Sequence, residues 1–180
     1  MQKLFYILAT VFFMATNVLA NDCQIKPTLK EYQPMASATF PVTTFTGIDM
    51  KVEQPVRVGV NDSPVFFFTN KKLLTFRYWD HLYDGLKIDD FYLKLFGAIP
   101  IGNDSTIIEQ YRKTDTVNCN NPVTEIKLNN DNFRAFMHLV KSDRVNVYLI
   151  PIEQKGYLYS LQFRGYTLDE VGQIVSTVNK

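Results

Sequence analysis

Two histidines and a scatter of carboxylates hold most of the chemistry this chain could perform at neutral pH. His81 stands between Asp80 and Asp84 in the run Trp79-Asp80-His81-Leu82-Tyr83-Asp84, a set of donors that could hold a metal ion through nitrogen and oxygen. Two carboxylates around one histidine on a turn are common by chance, so the favoured reading is a polar connector with no metal. His138 is placed on a helix, off its apolar stripe, and is expected to be solvated. Asp84-Gly85 with Asp89 and Asp90 lacks the ligand spacing of a calcium loop. The chain has no nucleophile-elbow pentapeptide, no phosphate-cradling glycine loop, no dinucleotide fingerprint and no paired-cysteine metal motif. The expectation is no catalytic residue, no cofactor and no enzyme. A hydrolase working through Asp80, Asp84 or Asp89 is the weakest of three functional readings.

The same run has the composition of a contact patch. Aromatic side chains interleaved with carboxylates on a connector are suited to bind a protein, which makes Trp79, Asp80, His81, Tyr83 and Asp84 the expected partner-binding residues. Nucleic acid is excluded there, because Asp80 and Asp84 repel phosphate and no basic cluster compensates. Whole-chain charge agrees: 19 Lys+Arg against 18 Asp+Glu give +1, with neither a basic footprint nor an acidic tail. With 46% apolar or aromatic residues and 21% charged, the chain is expected to fold.

Residues 1–20 read as a signal peptide. Lys3 supplies the positive start, Leu4 to Ala15 the apolar run broken only by Thr10, and Val18-Leu19-Ala20 the small residues before a cleavage at Asn21. That run is too short to span a bilayer, and charges interrupt every later apolar stretch. Residues 21–180 are therefore expected to be a single domain, periplasmic or secreted and without a membrane span. In an oxidising compartment Cys23 and Cys119 are expected to pair; closing so long a loop contributes about 4–5 kcal/mol in the chain-entropy model. Asn61-Asp62-Ser63 and Asn103-Asp104-Ser105 are formal glycosylation sequons, the first weakened by Pro64.

The elements that must position these residues follow from periodicity. A strand is expected near Phe40–Phe45. Alternating apolar residues from Ile48 to Val60, interrupted at Pro55, predict strands with one buried face. Asn61–Pro64 is a turn, and Val65–Thr69 with Leu73–Trp79 a hairpin. Ile88, Phe91, Tyr92, Leu95 and Phe96 form one helical stripe, with Asp89 and Asp90 in its first turn and Gly97 at its end. A shorter helix follows Ser105, with Thr106 and Glu109 at capping-box spacing and Ile107, Ile108 and Tyr111 inward. Val123–Leu128 reads as a strand, and Phe133, Phe136, Met137 and Val140 as a further helical stripe. Val145–Ile152 and Tyr157–Arg164 are strands, the second turning Tyr157, Tyr159, Leu161 and Phe163 onto one face. Thr167–Glu170 caps a last helix buried through Val171, Ile174, Val175 and Val178. The polar stretch Asn21–Ala38 has no clear period. The fold class is α+β, an antiparallel sheet with helices packed on one face, clipped by a single disulfide.

The aromatic hairpin followed by Glu170-Val171-Gly172-Gln173-Ile174-Val175-Ser176-Thr177-Val178 resembles the close of PsbP/Mog1-like domains, and implies a sheet-and-helix sandwich with no functional residue carried over. As a type, a small neutral exported domain with one disulfide is similar to periplasmic immunity proteins. The leading functional expectation is thus an exported, non-enzymatic protein that sequesters or inhibits a protein partner, such as a toxin or effector. The alternative is a periplasmic carrier of an apolar or amphipathic small molecule, lodged between sheet and helices in a cavity lined by some of the many Phe and Tyr residues.

Overall fold

The computed structural model describes residues 24–44, 47–60, 62–79, 88–153 and 156–179. Eight strands form one sheet: β1 (Thr28–Lys30), β4 (Arg57–Val60), β5 (Pro64–Phe67), β6 (Leu73–Trp79), β7 (Thr124–Ile126), β8 (Phe133–Lys141), β9 (Arg144–Pro151) and β10 (Leu158–Arg164). Their order is β1-β7-β8-β9-β10-β6-β5-β4. Strands β2 (Phe40–Thr43) and β3 (Asp49–Val52) form a separate antiparallel hairpin, and the helices are α1 (Ile88–Leu95), α2 (Ser105–Thr114) and α3 (Leu168–Val175). The class is α+β. The sheet is mixed, because β1 runs parallel to β7 while every other pair is antiparallel.

Strand alternation sends side chains to two cores. On one face Ala135, Met137, Val145, Val147, Leu149, Tyr159, Leu161, Phe163, Leu74 and Phe76 meet Val171, Ile174 and Val175 of α3 and Val42, Met50 and Val52 of the hairpin. On the other, Phe136, Tyr148, Ile150 and Leu158 meet Leu95 and Phe96 at the end of α1, with Tyr111 of α2 packed alongside. Helices therefore cover both faces, which corrects the expectation of one. The reason lies in β8 and β9, whose residues are apolar in both directions and need cover on both sides.

The same property corrects the helix expected at Phe133–Val140. Its i, i+3, i+4, i+7 spacing is coincidental: Phe133, Ala135 and Met137 point one way and Phe136 the other, while β8 pairs along its length with β9. A central strand buried on both faces is apolar nearly throughout, so any period can be read into it. The Thr106–Glu109 capping box does not form, since α2 begins at Ser105, and Ile107 lies 43% exposed instead of inward. The cap of α3 does form. Thr167 Oγ1 accepts from the Glu170 N–H at 3.2 Å, and the Glu170 carboxylate accepts from the Thr167 N–H at 2.8 Å. Gly97, at φ +73°, ends α1 where the N-terminal segment crosses; a Cβ there would lie 1.8 Å from the Ile25 carbonyl oxygen.

Candidate functional site

On the face that carries α3 and the β2–β3 hairpin, the sheet has a groove of about 740 Å³. Its floor follows from register. Tyr78 of β6 stands opposite Tyr159 of β10, and Phe66 of β5 opposite Leu74, so Phe66, Phe76, Tyr78 and Tyr159 share one face. The rings touch: Phe66 and Phe76 meet edge-on at 6.1 Å, Tyr78 and Tyr159 at 5.4 Å, and Tyr157 lies within 5.6 Å of both tyrosines. Val42, Thr43 and Thr44 at the end of β2 form one wall, and Asp62, Ser63 and Pro64 the other, with Arg77 and Trp79 also lining the space. Burial, and secondarily Tyr78, raises the Tyr157 phenol above its ordinary value. An aromatic floor with hydroxyl and carboxylate walls can hold a flat or flexible apolar molecule and orient a polar end.

Of the expected partner-binding residues, the structure places Trp79 at the end of β6, 40% exposed and lining this groove. Asp80, His81, Tyr83 and Asp84 lie outside the described residues, as does Cys23. No described cysteine is a free thiol. Asp89, weighed as a hydrolytic carboxylate, is only 4% exposed on the first turn of α1. Among the described residues, no three His, Cys, Asp or Glu side chains gather as metal ligands, and no helix is long and apolar enough to cross a membrane.

His138 overturns its expected solvated place. It lies on β8 at 1% exposure, stacked on Tyr148 with ring centroids 6.0 Å apart and 5.8 Å from Phe96. Neither ring nitrogen closes a hydrogen bond. Burial pushes its pKa down to about 4; the Asp115 backbone nearby offsets this only in part, and the Arg144 charge adds to it. It is a neutral core histidine at neutral pH, not a proton shuttle in a cleft.

The groove tyrosines were legible as an apolar face but not as a site. Alternation marks Tyr157 and Tyr159 as inward; only the pairing of β10 with β6 brings Tyr78 beside Tyr159, and both line the groove. Comparison with protein-family models, with curated proteins and with solved structures returned no match.

Proposed function

We propose that residues 21–180 form an exported, non-enzymatic binding protein whose aromatic groove holds an apolar or amphipathic small molecule. The observation that carries this reading is the groove itself. Its volume of about 740 Å³ falls within the roughly 300–1,000 Å³ of small-molecule sites, and its floor is Phe66, Phe76, Tyr78 and Tyr159. Trp79, the chain's single tryptophan, lines it and supplies a reporter. Titration with the uncharged fluorophore N-phenyl-1-naphthylamine should brighten the probe and quench Trp79 saturably. Ser63→Trp, which fills the groove from a turn, should abolish the brightening while leaving the melting temperature unchanged. Equal brightening by wild type and Ser63→Trp would refute the reading.

A second reading, sequestration of a protein partner in the manner of an immunity protein, draws support from Trp79, whose 40% exposure leaves a large aromatic surface for a partner. In this reading Asp80 and Asp84 orient a basic partner, and Trp79→Ala with Asp84→Lys weakens capture while the fold holds. Both readings include export with cleavage before Asn21 and a Cys23–Cys119 bridge. Thiol titration of the denatured, unreduced mature protein should find no free thiol; two would refute the bridge.

A further inference from the structure

The two edges of the sheet are finished differently. At one end, β1 is three residues long, and Leu29, 64% exposed, is followed by Lys30 and by Glu31, which pairs with Lys127 at 3.2 Å. Charges on a short edge strand oppose the addition of another strand. At the other end, β4 pairs with β5 alone among the described residues. There Val56, Val58 and Val60 are 66%, 52% and 85% exposed. Val58 stands opposite Phe66, so these alternating side chains share the apolar sheet face. The charge within β4 is Arg57, which is exposed on the opposite face with its guanidinium 4.2 Å above the Phe67 ring.

We propose that the outer edge of β4 takes up an extended segment of a partner protein as an added strand, with apolar side chains at alternate positions and carboxylates between them. The backbone supplies a row of donors and acceptors, the valines favour apolar side chains on one face, and Arg57 favours a carboxylate on the other. A second copy of this chain fits less well. Self-pairing with the valines on one face would bring two Arg57 charges together on the other face of a four-residue ladder, where like charges repel. Pro55 and the turn beginning at Asp62 bound the usable edge, so the added strand is short and its binding reversible. This inference is independent of the groove reading, because a strand outside β4 lies two strand spacings from Phe66 and farther from Tyr78.

The probe is an end-blocked heptapeptide alternating valine and glutamate, compared with its lysine counterpart and with a version carrying a central proline. Isothermal titration and amide exchange are read on the mature protein. The glutamate peptide should bind below about 1 mM and slow exchange within residues 57–60, with the lysine peptide at least tenfold weaker and the proline peptide silent. Val58→Lys should weaken the glutamate peptide at least tenfold, and Arg57→Glu should reverse the preference between the charged peptides. No binding of the glutamate peptide, equal binding of all three, or an unchanged affinity in Val58→Lys each overturns the proposal. Perturbation of Phe66, Phe76 and Tyr78 in place of β4 assigns the peptide to the groove and overturns it too. Concentration-dependent dimerisation with residues 57–60 protected before peptide is added overturns it in favour of a second copy.

Discussion

Strands β9 and β4 belong to one sheet and share a liking for valine, yet they play opposite parts. In β9, Val145 and Val147 are fully buried, packed toward α3 and the β2–β3 hairpin. In β4, Val58 and Val60 are 52% and 85% exposed. Full burial of a valine contributes about 1.5–3 kcal/mol relative to exposure, so β9 holds the fold while β4 adds little to it. What separates them is cover. The centre of the sheet lies between α1–α2 and α3, whereas the wing ends in β4, whose Val58 and Val60 belong to neither core. An apolar side chain is a stabiliser in one place and a binding surface in the other.

The comparison is broken most severely by charging the covered centre. Leu161→Asp and Phe163→Asp should each prevent folding, since both side chains are fully buried and an unpaired buried carboxylate costs several kcal/mol against a total stability of about 5–15 kcal/mol. Gln162→Asp, on the opposite parity and half-buried, should leave a folded protein. Melting curves decide it; three equal transitions would show the register of β10 to be shifted by one residue.

Acid should act on the same centre next. His138 binds its proton at a pH of about 4 when folded and near 6.5 when unfolded. Between those values the unfolded chain holds more protons, so this contribution to stability is complete above pH 6.5 and is lost as pH falls toward 4. The loss should reach about 2–3 kcal/mol at pH 4.5, on the order set by a shift of that size. His138→Phe should flatten this part of the pH dependence, measured as urea midpoints at pH 7 and 4.5. A His138→Phe profile parallel to wild type would remove His138 as the cause.

A smaller effect belongs to the helix that covers one face. Thr167→Ala removes the hydroxyl that accepts from the Glu170 N–H and should cost about 1 kcal/mol, read as a lower denaturation midpoint. Smallest of all, Val60→Thr on the uncovered wing should change stability by less than about 0.5 kcal/mol. If Val60→Thr cost as much as a core substitution, the wing would have to be covered after all.

Some elements were legible because local chemistry alone specifies them. The α3 cap needs only Thr167 and Glu170 three residues apart, and α1 needs only its stripe and Gly97. The hairpin strands β5 and β6 follow from alternation and a polar turn. Legibility failed where burial on two faces erased the period, as at Phe133–Val140, and where an element was too short to have one, as in β1. The candidate site was half legible. Trp79 was singled out for its neighbours in sequence, whereas the structure joins it to rings from β5, β6 and β10.

The amino-acid sequence by itself determined the α+β class, the alternation of β10 and the capped last helix, because each rests on interactions within a few residues. Only the tertiary structure decided that helices lie on both faces, that His138 is sealed in the core, and that Tyr78 meets Tyr159 on the floor of a groove. Those outcomes depend on which strands become neighbours and how far the helices reach over them. Pairing between distant strands is set by the summed burial of the whole sheet, a quantity that no local spacing contains.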